Sequence, residues 1–308
     1  MTKRTLLSLI GLAALAGCAE STVDPPAAHP PLDGEAALAL VRRQLDFGPR
    51  IPGSPGHAAQ LSWMLSHLAS LAPEVVADTF PHVTTDGDSL TLVNVQARFR
   101  PDETRRILLL THWDTRPLAN EARDSAQRTL PVPGANDGAS GTAVLIELAR
   151  IFSEQAPPMG VDLLFVDGED YGPGSQDMFL GARRYAATLP EEGRPVYGVL
   201  LDMVGDVDPR FYQEANSVGY APIVVRKVWQ AARRAGHGEF FPNTVGDPLG
   251  DDHIPLNEAG IPTIDVIDFS YGPGNGWWHT PEDTADKVSA ATLKMVAEVV
   301  AELIYSGG

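Results

Sequence analysis

Cysteine is nearly absent from this sequence: Cys18 is the only one among 308 residues. No disulfide can therefore form within the chain, and a hydrophobic core must hold the fold together. Basic residues are also scarce, because 23 lysines and arginines stand against 40 aspartates and glutamates, for a net charge of −17. Such a charge argues against nucleic acid and against anionic lipid surfaces as partners.

A long apolar run is missing from the N-terminal segment. Leu6 to Ala16 is apolar but too short to cross a bilayer as a mature helix, which needs about 20 residues. Lys3 and Arg4 precede this run, and Leu15-Ala16-Gly17-Cys18 ends it. The pattern resembles a bacterial lipoprotein signal in which the cysteine is lipidated. An ordinary signal peptide with a chance cysteine is the alternative.

These features predict three parts of the chain. Residues 1–18 are expected to be a lipoprotein signal peptide, and residues 19–32 a proline-rich tether. Residues 33–308 are expected to form a single catalytic domain. The protein would then be an exported bacterial lipoprotein, held at a membrane only by its lipid at Cys18 and facing the periplasm or the cell exterior.

Strand and helix patterns alternate through the expected domain. Arg106–Thr111 and Val161–Val166 are nearly continuous apolar runs, which are typical of buried parallel strands. Val75–Phe80 and Leu90–Phe99 predict an antiparallel hairpin before them. The predicted fold class is therefore α/β, with a mixed but mostly parallel central sheet and helices on both faces. Further helices are expected at 35–45, 57–71, 140–152, 176–187, 221–235 and 289–305, and further strands at 196–203 and 263–267.

Acidic and histidine side chains follow several of the predicted strands. In open α/β sheets ligands collect at the carboxyl ends of the strands, so these side chains are expected at one edge. Asp202 lies inside an apolar run, where a charge is costly unless it is paired or bound to metal. Carboxylates with imidazole and no thiolate suit zinc with one open position. Each residue alone has a simpler explanation, such as a helix cap for Asp137 or core packing for His279.

In their order along the chain, these segments resemble the zinc aminopeptidase superfamily and, within it, the animal-type glutaminyl cyclases with their bacterial relatives. The matching segments are Phe47–Gly53, His112–Pro117, Asp137, Glu169-Asp170, Asp202, Asp251-Asp252-His253 and Trp278-His279-Thr280. The resemblance implies the following roles: Asp137, Asp170 and His279 as zinc ligands, Glu169 as proton shuttle, Asp202 and Asp251 as an acid network around it, and Trp278 as a wall of the substrate pocket.

This chain departs from the animal cyclases at two points. Asp170 stands where they have glutamate, and a shorter carboxylate can still bind zinc. Gly172-Pro173-Gly174 forms a tighter loop where they have a tryptophan soon after the ligand.

Two reactions are possible on such a site. A glutaminyl cyclase would need one zinc, would act on peptide or protein N-termini that begin with Gln, and would release ammonia. A di-zinc aminopeptidase would need a second metal held by His112 and Asp202 beside a bridging Asp137. Asp251 favours the cyclase, because the compared peptidases usually carry a small residue there. A catalytically silent binding lipoprotein is the third possibility, although no ligand is missing.

Overall fold

The computed structural model describes residues 26–189 and 193–308, and the statements below refer to these residues. Cys18, the expected signal peptide and half of the expected tether lie outside them. The helices are α1 (Gly34–Leu45), α2 (Pro55–Ala69), α3 (Ala139–Glu154), α4 (Leu180–Thr188), α5 (Ala215–Tyr220), α6 (Pro222–Arg234), α7 (His253–Glu258) and α8 (Ala290–Tyr305). The strands are β1 (Glu74–Val83), β2 (Ser89–Phe99), β3 (Arg106–His112), β4 (Gly160–Val166), β5 (Gly198–Asp202) and β6 (Thr263–Ile267).

The strands form one six-stranded sheet in the order β1-β2-β4-β3-β5-β6. β4, β3, β5 and β6 are mutually parallel, while β2 is antiparallel to both β1 and β4. The predicted mixed sheet with its antiparallel N-terminal hairpin is therefore confirmed. β4 lies on one side of β3 and β5 lies on the other. The direction in which successive strands are added therefore reverses at β3. Such a reversal opens a crevice at the carboxyl ends of the strands.

Helices cover both faces of the sheet, which explains the continuous apolar runs. Successive side chains of a strand point to opposite faces. Ile107 and Leu109 of β3 therefore join the large core shared with α1, α3 and α8. Leu108 and Leu110 join a smaller core on the other face, with Leu256 of α7. Every residue of β3 and β4 is buried.

Three helical features differ from the sequence-based expectation. The helix predicted over residues 176–187 begins only at Leu180, because residues 175–177 form a separate 3₁₀ turn. Helices α5 and α7 were not predicted, since six residues are fewer than two turns and show no periodicity. Within the described residues, no helix has the length and apolar character needed to span a membrane.

Candidate metal centre

The carboxyl edge of the sheet gathers the candidate site residues. His112 is the last residue of β3 and Asp202 the last of β5, while Glu169 and Asp170 follow β4 within four residues. Two further segments reach the same edge, namely the loop before α3, which carries Asp137, and the loop after β6, which carries His279. All of these side chains are buried. The topology thus brings together residues that are up to 167 positions apart in the sequence.

Close packing of α3 against the sheet positions Asp137. A β-carbon at Gly141 would lie 2.2 Å from Thr111 Oγ1 and 2.3 Å from the Leu201 carbonyl oxygen, so only glycine allows this approach. Gly138 turns the chain into the helix with a φ of 92°, a conformation that glycine adopts without strain. The Asp283 carboxylate accepts hydrogen bonds from the backbone N–H groups of Asn136 (2.8 Å) and Asp137 (3.2 Å).

Asp137, Asp170 and His279 form one group of possible metal ligands, and one ligand atom from each lies within 4.8 Å of the others. His279 Nε2 is 3.2 Å from Asp170 Oδ1 and 3.5 Å from Asp137 Oδ2. Ligands of a tetrahedral zinc ion, at bond lengths of about 2.0–2.1 Å, lie roughly 3.3 Å from one another. The spacing and the chemistry of these donors therefore fit zinc.

His112, Asp137 and Asp202 form a second such group. His112 Nε2 lies 3.1 Å from Asp137 Oδ1 and 3.1 Å from Asp202 Oδ1. Asp137 belongs to both groups and faces each with a different oxygen. The donor arrangement alone thus accommodates one metal ion or a pair bridged by Asp137.

The Glu169-Asp170 segment is held by its backbone. Asp114 accepts a hydrogen bond from the Glu169 N–H through Oδ1 (3.1 Å) and from the Asp170 N–H through Oδ2 (3.2 Å). The buried guanidinium of Arg116 donates to Asp170 Oδ1. These contacts leave the Glu169 carboxylate free to face the site, where its Oε2 lies 3.9 Å from His112 Nδ1.

Burial is the main electrostatic influence on these acids. It raises the pKa of Glu169 well above its usual range, and the charges of Asp170 and Asp251 add to the effect. Burial and then the charge of Asp202 raise the pKa of Asp251 to about 7. Asp170 behaves differently, because His279 and Arg116 outweigh its burial and lower its pKa. The cluster therefore combines a candidate ligand that stays ionised with acids that can share protons.

Two residues at this edge adopt left-handed backbone conformations that non-glycine residues rarely take. Met203, directly after Asp202, has a φ of 48°, and His279 has a φ of 52°. Such strained positions persist where surrounding contacts enforce them, and they cluster at functional sites. The Trp278 ring stacks on the His279 ring at 3.8 Å between centroids, which places this half-buried tryptophan beside the candidate ligands.

The structure brings together every candidate site residue that it describes, and their individual roles remain predictions. Sequence reasoning gave no role to Asp114 and Asp283, although both lie in the quoted motifs or next to them. It also missed Asp265, which is fully buried in β6, where burial and then the charge of Asp251 raise its pKa well above the usual range. The available signal was a charge inside an apolar strand, the same signal that identified Asp202.

Comparison with known proteins gives a consistent family. The model of peptidase family M28 matches residues 94–304. The glutaminyl-peptide cyclotransferase of Drosophila melanogaster is 28% identical over 280 residues, which cover 82% of this chain and 75% of that protein.

Solved structures give closer matches. The glutaminyl cyclase of Bacteroides thetaiotaomicron, solved with N-acetylhistamine bound, is 36% identical with a TM-score of 0.87, covering 91% of this chain and 100% of the other. A leucine aminopeptidase precursor from Bacteroides thetaiotaomicron VPI-5482 is 35% identical with a TM-score of 0.88, covering 92% and 100%. A structure named as a glutaminyl cyclase and one named as an aminopeptidase are thus about equally similar to this chain. The chemistry of the site has to distinguish the two activities.

Proposed function

The chain belongs to peptidase family M28, and we propose that within this family it is a glutaminyl cyclase. It would convert the N-terminal Gln of peptides or proteins to pyroglutamate and release ammonia. Similarity to the cyclases of Drosophila and Bacteroides supports this assignment. The observation that carries it is the buried acid cluster around Glu169, in which Asp251 adds a carboxyl group beside Asp202.

Asp137, Asp170 and His279 would hold one zinc ion. When bound, this ion supplies Lewis-acid polarisation of the substrate's γ-carbonyl group and stabilises the developing oxyanion. His279 and then Arg116 lower the pKa of Asp170, so that this carboxylate stays ionised, which is the form that a metal requires. Arg116 also fixes the carboxylate by donating a hydrogen bond to it.

The reaction needs no water as nucleophile. The α-amine of the substrate attacks the carbonyl carbon (Cδ) of its own side-chain amide, and because the two groups are tethered, proximity supplies much of the rate. Glu169 accepts the proton that the amine loses as the C–N bond forms. It returns this proton to the departing amide nitrogen as the original C–N bond of the side-chain amide breaks. The products are the pyroglutamyl peptide and one ammonia, and Glu169 returns to its starting state.

Asp202 and Asp251 would support the shuttle without touching the substrate. Burial raises the pKa of all three acids, and the charge of Asp251 adds to the effect of burial on Glu169, so that the group can share protons in the range of useful acid–base catalysis. Trp278, half-buried and stacked on His279, would form the wall against which the Gln side chain packs.

A di-zinc aminopeptidase is the second candidate, because one specific observation favours it. His112 and Asp202 complete a second set of donors around the shared Asp137. In that enzyme Glu169 would activate a water molecule rather than an amine, and free amino acids would be the product.

Metal content and product identity separate the two candidates. Purified protein is incubated with Gln-Ala and Leu-Ala peptides, ammonia and free amino acids are quantified, and zinc per chain is measured. The cyclase is expected to hold about one tightly bound zinc and to release ammonia from Gln-Ala alone. Two zinc ions with release of free leucine would establish the peptidase instead. If protein that is fully loaded with zinc releases neither ammonia nor free amino acids, only a binding role remains.

We also propose that the protein is an exported bacterial lipoprotein anchored at Cys18. The support is the sequence pattern of residues 1–18, which lie outside the described structure. Wild-type protein expressed in a bacterial host should sediment with membranes, and Cys18→Ser should release it into the soluble fraction. Equal partitioning of the two would contradict lipidation.

A further inference from the structure

Residues 27–33, which precede α1, lie along α3 and α8, and we call this segment the strap. Two buried carboxylates hold its ends. The Ala27 N–H donates to Glu302 Oε2 of α8 (2.6 Å), and the Asp33 N–H donates to Glu147 Oε1 of α3 (2.8 Å). Hydrogen bonds to charged groups are stronger than those between neutral groups. The strap is therefore part of the folded domain and does not project from it.

Side chains also fix the middle of the strap. Leu32 is buried in the large core. The His29 ring stacks on the Tyr305 ring of α8 at 5.8 Å between centroids, and the Pro31 carbonyl accepts a hydrogen bond from Arg150 Nη2 of α3 (2.8 Å). Contacts to both helices along its length give the strap one position and one direction.

The strap runs from the ends of α3 and α8 toward their starts. The Ala28 carbonyl accepts a hydrogen bond from Gln155 Nε2, directly after α3 (3.1 Å). Gly34, directly after the strap, lies against the first residue of α8, since a β-carbon there would be 2.2 Å from the Ala290 carbonyl oxygen. The chain thus enters the strap at the far ends of these helices.

These far ends lie opposite the candidate metal centre. α3 begins two residues after Asp137 and is 16 residues long, so it carries the chain about 24 Å away from the site. Gly308, just beyond α8, lies close to the start of β3, because a β-carbon at Gly308 would be 2.3 Å from Ile107 Cδ1. The chain therefore enters the strap at the amino edge of the sheet, whereas the metal centre lies at the carboxyl edge.

The chain between Cys18 and the strap is short. Ala27 is nine residues after Cys18, and nine residues span about 30 Å when fully extended and about 15–18 Å as a flexible chain. A lipid on Cys18 would therefore hold the amino edge near the bilayer surface. Turning the metal centre to the surface would lift the amino edge by about 24 Å, which stretches these residues well beyond their flexible length. The net charge of −17 supplies no compensating attraction to an anionic surface.

We propose that the strap makes the amino edge of the sheet the membrane-facing end of the protein and holds the metal centre away from the bilayer. The enzyme would then act on Gln N-termini of chains that extend into the aqueous compartment, and it would not reach N-termini held at the bilayer surface. This inference rests on the proposed lipid at Cys18 and, for its substrates, on the proposed cyclase function.

Energy transfer to lipid headgroups tests the orientation. The full-length lipidated protein is placed in phosphatidylcholine vesicles with an acceptor dye on the headgroups, and a donor dye is attached at Val196→Cys or Leu118→Cys. The two positions are about equally exposed, at 46% and 45%, but Val196 lies just before β5 at the amino edge and Leu118 follows β3 at the carboxyl edge. Transfer falls steeply with height above a plane of acceptors. We expect it to be at least about fivefold greater at position 196, from heights of roughly 16 and 40 Å.

Equal transfer at the two positions, or greater transfer at position 118, would overturn the inference. Low transfer at both would show that no lipid anchors the chain, and the inference would fall with the anchor.

A longer tether is the matched control. Twenty Gly and Ser residues inserted between Val23 and Asp24 leave the strap unchanged and raise the flexible length to about 27–32 Å, more than the length of α3. Either edge of the sheet can then approach the bilayer, and the ratio of transfer should fall to about twofold or less. A ratio that stays at its original value would overturn the inference, because another contact with the bilayer would then set the orientation.

Ammonia release tests the consequence for substrates. Gln-Ala is attached to headgroups of the same vesicles through a Gly-Ser linker of six or of forty residues, which span about 12–15 Å and about 32–38 Å. The lipidated protein should convert the long-linker peptide at least about tenfold faster, because a linker that cannot span the distance gives almost no effective concentration at the site. Cys18→Ser in solution, which is free to turn, should show a ratio of about threefold or less.

Equal conversion of both peptides by the lipidated protein would overturn the inference. If soluble Gln-Ala releases no ammonia, the proposed cyclase function fails, while energy transfer still decides the orientation.

Discussion

Replacing Glu169 by Gln tests the proton shuttle with the smallest change of structure. Glutamine has nearly the same shape, but it cannot accept and return a proton. The Glu169 backbone is held by Asp114, and none of its hydrogen bonds involves the side chain that changes. The nearest imidazole nitrogen, His112 Nδ1, is 3.9 Å from Oε2, too far for a hydrogen bond that the substitution would break. The fold and the metal ligands should therefore survive.

General acid–base catalysis typically contributes 10²–10⁴-fold, or about 2.7–5.5 kcal/mol of transition-state stabilisation. We expect Glu169→Gln to lose kcat for Gln-Ala cyclisation by that factor, measured as ammonia release, while it keeps the zinc content and the unfolding midpoint of the wild type. Glu154→Gln provides the same chemical change at an exposed position at the far end of α3 and should retain full activity.

Asp170→Asn is the opposite control, because it removes a proposed ligand and should lose zinc together with activity. The reasoning would be refuted if Glu169→Gln lost its zinc, since Glu169 would then be a ligand. A kcat of Glu169→Gln within about tenfold of the wild-type value would also refute the role of Glu169 as proton shuttle. Such a small loss lies below the usual contribution of general acid–base catalysis.

Two further substitutions test the acid network and the core. Asp251→Asn should retain zinc and change kcat more than KM, with kcat falling. The charge of Asp251 helps to raise the pKa of Glu169. Its removal should therefore also move the acidic limb of the pH–rate profile to lower pH. Unchanged activity and pH dependence would show that Asp251 is a loop residue with no part in the acid network around Glu169. Arg106→Leu should cost about 3–5 kcal/mol of unfolding free energy in urea, since it leaves the buried Asp162 without its main partner. The activity per folded molecule should be unchanged, because Arg106 begins β3 at the end of the sheet opposite the site. A loss of unfolding free energy below about 1 kcal/mol would contradict the role of Arg106 as the main partner of the buried Asp162.

The edge of the sheet that carries the site could be predicted from the sequence because strand periodicity and strand ends are local signals. Residues 106–111 and 161–166 are apolar throughout, and the acids begin directly after such runs. Asp202 was informative for a physical reason: a charge within an apolar strand needs a partner, and the structure supplies one in His112 at 3.1 Å.

The residues that hold the site in place could not be predicted in the same way. Asp283 bonds the backbone of residues 136 and 137, almost 150 positions earlier, and no local pattern indicates that pairing. Asp114 likewise holds the backbone of residues 169 and 170. Such features arise from loop packing, for which the sequence contains no periodic signal.

The presence of ligands for a second metal does not by itself imply that a second metal binds. His112 Nε2 lies 3.1 Å from both Asp137 Oδ1 and Asp202 Oδ1, which is hydrogen-bond distance. When this nitrogen carries a proton, it can hold both carboxylates in place and leave Asp137 Oδ2 for the first zinc. A second metal would need the same nitrogen without its proton. The same three side chains thus serve either as a hydrogen-bonded support or as a metal site, and the proton on His112 decides between one zinc and two.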